Sequence, residues 1–366
     1  REMPVTRSPM GVWLIARHQD VLSILRGGQV SSQFSRYSAH ARQKRSGALA
    51  EVSDHLLPLL DPPVHTRLRS LVAPLFRDQV LERVVPAIPG LINDLLEPLE
   101  GEFDLMERIA SPLPVLVISE LLGIPRADRE RVRGWAHEFF SIFSASRSQA
   151  QLERLQQALE GFRDYLKHIL LQRQDQPQED LLSLIAAQPE LSLDERCATC
   201  VLLFANGEET LGHFLGNAVL ALQSHGAWKE PLHWGLAMEE LLRYDTPSQI
   251  LGRTAGAELR VGEVTIPEGE PVYLLLGSAN HDERAFAAPA ELSLERAPNP
   301  HLSFGHGTHA CLGAWLARRQ AQLALSACLR ELPSLRLSGT PRWRGHPFRR
   351  GLTHLPVCCE RKRRRA

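Results

Sequence analysis

The segment from Asn299 to Leu323, NPHLSFGHGTHACLGAWLARRQAQL, sets a single cysteine, Cys311, between a turn punctuated by Gly305 and Gly307 and a run of helical periodicity. Leu312, Ala314, Leu316, Ala317, Ala321 and Leu323 recur at helical spacing, while Arg318, Arg319 and Gln320 fall on other faces. Cys311 is therefore expected at a helix N-terminus. Unpaired backbone N–H groups and the positive end of the helix dipole favour a thiolate there. Such a thiolate is suited to ligate a metal.

The neighbours narrow the choice of metal. Zinc takes about four Cys or His ligands at short spacings, and although His301, His306 and His309 are near, no second cysteine is. A lone proximal thiolate suits one class of haem iron, where it pushes electron density onto the metal and favours O–O cleavage. The plainer alternative is a buried cysteine beside a glycine-rich turn. Phe304-Gly305-His306-Gly307-Thr308-His309-Ala310-Cys311-Leu312-Gly313 matches F-G-x-G-x-H-x-C-x-G. On this motif the chain resembles the cytochrome P450 superfamily. The resemblance implies haem b as cofactor, Cys311 as its axial ligand, Phe304 and Gly305 in the haem-binding loop, and His309 on a propionate.

Ser192 and Glu195 form a capping box, and the helix that they open runs unbroken to about Ser224, roughly 48 Å at 1.5 Å per residue. Asn206, Gly207, Glu208, Glu209 and Thr210 interrupt its apolar composition, which costs helix stability and calls for a reason. The resemblance supplies one, a Gly-x-acid-Thr element above the haem. Placing Gly216-Asn217 on the family's later Gly-Asn makes Glu209 the proton-delivering acid and Thr210 the hydroxyl that hydrogen-bonds iron-bound dioxygen species. A register one residue earlier puts Glu208 in the acid position. Asn206 stands where the family has a small residue, narrowing the oxygen groove or adding a hydrogen bond.

His65 and Arg69, at i and i+4 after Pro62-Pro63, face one way on a helix. Taken alone they read as a solvated basic face. The family's H-x-x-x-R motif implies that they hold haem propionates, as does Arg253 after the Pro247–Leu251 turn. Glu240 and Arg243 are an i,i+3 pair of a common kind, and the resemblance completes it with Arg296 as a buried triad that fixes the cysteine loop. Asn206, Gln249, Ile250, Leu251 and Leu352 are expected to line the substrate pocket. Leu259 to Val264 and Ile266 to Leu276 read as short strands with a tight turn around Pro267-Glu268-Gly269. His281 replaces the arginine of the family's Asn-Arg-Asp-Pro.

The chain has 366 residues, 43% of them hydrophobic, with 42 Lys and Arg against 42 Asp and Glu, so its balance points to no nucleic-acid partner. No apolar run approaches a membrane span and the start lacks a signal-peptide core, so a cytoplasmic protein with no membrane partner is expected. The first residues look like a family member trimmed at its N-terminus. Cys197 and Cys200 form a C-x-x-C inside a helical run and read as packed thiols. Residues 30–60 read as a polar loop, 80–174 as helical almost throughout, and 361–366 as a basic, solvated tail.

The fold class expected is mainly α with a small β region, one P450 domain over residues 1–366. The function implied is a haem-thiolate monooxygenase that uses O2 and oxidises a mainly apolar small molecule, a natural-product intermediate. No flavin or nicotinamide module is legible, so the resemblance implies a separate ferredoxin or flavodoxin donor with its reductase, docking on Arg67, Arg77, Arg318 and Arg319. A peroxygenase driven by H2O2 and a non-catalytic haem-thiolate sensor are the alternatives.

Overall fold

The computed structural model describes residues 3–33, 47–76, 81, 82, 84–139 and 148–360. In chain order, β1 (Val5–Arg7) and β2 (Trp13–Ile15) lead into α1 (His18–Gly27), and β3 (Val30–Ser31) precedes α2 (Gly47–Ser53), α3 (Val64–Val72) and α4 (Ile88–Leu96). β4 (Gly101–Asp104) follows, then α5 (Pro112–Leu122), α6 (Arg129–Phe139), α7 (Gln149–Asp175), α8 (Leu181–Ala186), α9 (Leu193–Ser224) and α10 (Trp234–Tyr244). β5 (Ile250–Ala255), β6 (Leu259–Val261), β7 (Val264–Ile266) and β8 (Pro271–Leu275) lead to α11 (Leu276–Ala279) and α12 (Ala314–Glu331). The chain closes on β9 (Arg336–Leu337), β10 (Arg342–Trp343), β11 (Leu352–His354) and β12 (Pro356–Cys359).

Two compact units emerge: Arg1–Val30, Val85–Pro114 and Thr210–Ala366 in the first, Ser31–Val84 and Val115–Glu209 in the second. In the first unit β1, β2, β8 and β5 form one sheet, antiparallel except for the parallel pairing of β2 with β8, and Val30 adds an edge beyond β5. Ile15, Val21, Ile24, Ile266, Val272 and Leu274 bury between this sheet and α1. The second unit packs α6, α8 and α2 around α7, with Phe162 edge-on to Phe204 at 6.0 Å and stacked on Trp135 at 5.9 Å.

The capping box forms as the sequence implies: the Glu195 backbone N–H donates to Ser192 Oγ at 3.2 Å and Ser192 N–H to Glu195 Oε2 at 2.9 Å. The helix that follows is 32 residues long.

Three expectations change. Gly101–Asp104, inside the stretch read as helical, is a strand, because Gly101 turns at φ 72° and Phe103 then pairs with Val357 of β12. The β6–β7 hairpin turns at Gly262 (φ 57°), and Gly269 (φ 82°) makes a second turn before β8. Residues 47–53 are helical where a loop was read, since Ala48, Leu49 and Val52 share an apolar face. Residues 34–46 of that stretch, Arg77 and the basic tail lie outside the described residues. Among the described residues no helix is long and apolar enough to cross a membrane.

Candidate active site

The turn ahead of Cys311 is held by its own backbone. Gly305 N–H donates to Leu302 O at 2.9 Å, Ala310 N–H to Gly307 O at 3.0 Å, and Cys311 N–H to Phe304 O at 2.9 Å. Gly305 and Gly307 have φ of 67° and 72°, and a Cβ on Gly307 would lie 2.3 Å from Leu25 O, so that position excludes every side chain. The helix begins later than its periodicity implies. α12 starts at Ala314 with Gly313 as N-cap, three residues past Cys311, whose N–H is engaged in the turn. Cys311 is exposed, whereas Cys197, Cys200, Cys328 and Cys359 are buried. Burial pushes the Cys197 and Cys328 thiols up to about 12, which keeps them protonated and inert.

A buried frame fixes the approach to this turn. Arg243, 0% exposed, donates to both carboxylate oxygens of Glu240 at 2.7 and 2.8 Å and to the carbonyls of Asn280, Pro289 and Glu291. Glu240 also accepts from Arg296 Nε and Ser293 N–H, each at 2.9 Å, and from Asn299 Nδ2 at 3.2 Å. Burial alone would raise the Glu240 pKa, but these donors outweigh it and hold the carboxyl below its ordinary value. Asn280, buried, accepts from Leu302 N–H at 2.7 Å and donates to Ser303 Oγ at 2.9 Å.

Glu239 adds a second tie, accepting from Arg318 at 2.6 and 2.7 Å and pairing with His301 Nε2 at 2.9 Å. Burial opposes its ionisation, yet these hydrogen bonds bring its pKa down to about 2. The Arg318 guanidinium lies 4.4 Å over the Phe304 ring, so it braces the turn from outside.

The other expected positions of the first unit lie in α9, β5 and the last hairpin. Thr210 is half-buried in α9, and Ile250 and Leu251 stand in β5 with Arg253, which is buried. Leu352 is buried in β11, and His309 is half-buried beside the cysteine. Gln249 donates from Nε2 to Thr246 O at 2.7 Å and borders a polar cavity of about 340 Å³ with Asp245, Thr246, His281 and Arg350.

In the second unit His65 is 1% exposed on α3. Burial and then the Arg69 charge lower its pKa, with Asp61 opposing. Arg67 is engaged by Glu195. Asn206 and Glu209 are half-buried. Glu208 meets Arg133 Nε at 3.3 Å through Oε1, while its buried Oε2 has no hydrogen-bond partner.

Comparison with known proteins decides the family. A model of the family "Cytochrome P450" matches residues 236–341. The biotin biosynthesis cytochrome P450 of Bacillus subtilis (strain 168) is 33% identical over 360 residues, 95% of this chain and 90% of its own length. The polyketide biosynthesis cytochrome P450 PksS of the same strain is 35% identical over 363 residues, 94% of this chain and 88% of its own. The chain belongs to the cytochrome P450 family. The crystal structure of P450BioI in complex with an acyl carrier protein ligated with hexadec-9Z-enoic acid superposes with a TM-score of 0.90 at 32% identity, covering 97% of this chain and 94% of that one.

This P450 is thus an oxidoreductase of a haem-thiolate monooxygenase family. Its residues suit the cofactor: one exposed thiol on a constrained turn, a buried guanidinium in β5, an imidazole two residues before the thiol, and a glycine at 305 where a Cβ would meet nothing nearer than 3.9 Å. The open face of Gly305 beside Leu251 is what a flat apolar ring system needs. Sequence reasoning passed over Asn280, Glu239, His301 and Arg133 as partners. Each acts across 22 to 79 residues of chain, a separation at which no local pattern signals contact.

Proposed function

We propose that this P450 binds haem b through Cys311 and inserts one atom of O2 into a mainly apolar small molecule, a biosynthetic intermediate, in the cytoplasm. The observation that carries the reading is the exposed Cys311 thiol at the end of a turn whose glycines and hydrogen bonds admit little variation. When bound, haem supplies the redox centre at which dioxygen is reduced and split. In the proposal Arg253 and His309 hold its carboxylates, as do His65 and Arg69, and Phe304 and Gly305 lie along the ring. Thr210 holds a proton at its hydroxyl and Glu209 moves protons toward it, while Asn206, Ile250, Leu251, Leu352 and Gln249 shape the space for substrate. Glu240, Arg243 and Arg296 keep the thiolate in place.

Relatives with biotin and polyketide biosynthesis in their names support a biosynthetic substrate. The acyl chain on the carrier protein in the P450BioI complex supports an apolar one and favours, as a second reading, delivery on a carrier. The matches span both compact units, which supports a single P450 domain. Electrons are proposed to come from a ferredoxin or flavodoxin with its reductase. Arg319, exposed on α12, is the better docking candidate, because Arg67 and Arg318 are already paired with carboxylates.

The test is the absorption of the ferrous carbon monoxide complex. A strongly red-shifted main band is expected in the wild type and is lost in Cys311→His, with the fold kept. The same band in both proteins rules Cys311 out as ligand.

A further inference from the structure

α9 is apolar on either side of Glu208 and Glu209, with Phe204 and Ala205 before them and Leu211, Phe214 and Leu215 after them all buried. Two consecutive carboxyls at this point require a cause. Glu208 is enclosed, its side chain only 13% exposed. Its contacts are not those of a structural ion pair. Arg243–Glu240 and Arg318–Glu239 in this protein are two-pronged and 2.6 to 2.8 Å long. Arg133 reaches Glu208 by one atom at 3.3 Å, and it is shared with Glu130 of α6, 3.8 Å away. Oε2 of Glu208 is buried without a hydrogen-bond partner. A carboxylate left in that condition is costly, and a protonated carboxyl, with its charge removed, costs much less.

Among the described residues the groups that face it can be named. Arg133 and Glu130 face it from α6, Glu209 from α9 itself, and α5 presents the apolar Ile118 against Gly207 at this level. Burial raises its pKa to about 7, with Glu209 and Glu130 adding to the rise and Arg133 opposing it. Glu208 therefore exchanges protons where a relay at neutral pH works best. Solvent is at hand, because the Arg133 side chain is 38% exposed and that of Glu130 86%.

We infer that Glu208, positioned by Arg133, is a proton-relay carboxyl that takes protons from solvent on the α6 side and passes them to Glu209. The inference rests on the reading of this chain as an oxygen-activating P450. In each transfer the Glu208 O–H proton moves, through water, to the Glu209 carboxylate. Glu208 is left as the carboxylate that Arg133 faces, and a proton from solvent restores it. Only O–H bonds break and form, and no electron moves.

Infrared difference spectra of the haem-loaded protein across a pH series test the assignment directly. A protonated-carboxyl band titrating near neutral pH is expected, absent in Glu208→Gln and titrating at higher pH in Arg133→Ala. Turnover supplies the second arm. Glu208→Gln should keep the carbon monoxide band and the substrate-induced spin shift, yet lose about tenfold or more in product rate and lose the limb of the pH profile near 7. Glu208→Asp should restore part of both. A wild type with no carboxyl titrating near neutrality overturns the inference, as does an unchanged rate and pH profile in Glu208→Gln. A wild type without the red-shifted band instead sinks the haem-thiolate reading, and the infrared arm still reports on Glu208. If Glu208→Gln does not fold, Arg133→Ala decides, an unmoved band and pH profile counting against the relay.

Discussion

The cysteine turn and the middle of α9 are satisfied to opposite degrees. Around the turn, every donor of Arg243 that the structure shows has a buried acceptor, Glu240 serves Arg243, Arg296, Ser293 and Asn299 at once, and Asn280 pins Leu302 and Ser303. In α9 a carboxyl sits among apolar residues with one oxygen unmatched and its partner shared. Over-determined networks fix atoms in space, and under-satisfied groups change protonation readily. A metal ligand needs the first property and a proton carrier the second.

Breaking the rigid region should have the largest effect. Arg243→Ala strands the fully buried Glu240 carboxylate, and a loss of about 3 to 5 kcal/mol is expected, measured as a lower urea midpoint and as poor haem retention. A midpoint within error of wild type would show that the frame is not what fixes the turn.

Glu208→Gln comes second and should act in the opposite sense. The folded-state pKa near 7 lies above the ordinary carboxyl value of 4.5, so between those pH values the native state binds more protons than the unfolded chain. Stability due to this group is fully present below about 4.5 and is lost as pH rises through about 7, by at most about 3 kcal/mol. The glutamine variant should therefore gain on wild type as pH rises, in thermal melts at pH 5 and pH 8. Parallel curves would mean that Glu208 is no more strained than an exposed carboxyl.

Thr210→Ala sharpens the contrast at the smallest cost to the fold. It should leave melting unchanged while product formed per electron falls by roughly tenfold and hydrogen peroxide rises. Peroxide yield at the wild-type level would remove Thr210 from the proton path and favour the earlier register.

What could be read from sequence follows from range. The capping box at Ser192, the pair Glu240 and Arg243, and the spacing of His65 and Arg69 are contacts within a turn or two of helix, and residue spacing encodes them. The turn around Cys311 is local and spacing encodes it, yet the helix starts at Ala314, two residues after the first periodic residue Leu312, since the N–H of Cys311 closes the turn on Phe304 instead of opening the helix. The strand at Gly101–Asp104 was hidden, its partner being Val357 some 250 residues on. Arg318 looked like a free surface cation for the same reason, its carboxylate lying 79 residues earlier.

Gly307 rests on the Leu25 carbonyl and Arg26 donates to His306 across 280 residues of chain. Translation imposes an order on that contact. At 5 to 20 residues per second the ribosome needs about 14 to 56 s to go from one partner to the other. For that interval the Leu25 carbonyl lacks the turn that it meets in the folded chain. A nascent protein stalled before residue 300 therefore lacks the cysteine turn altogether.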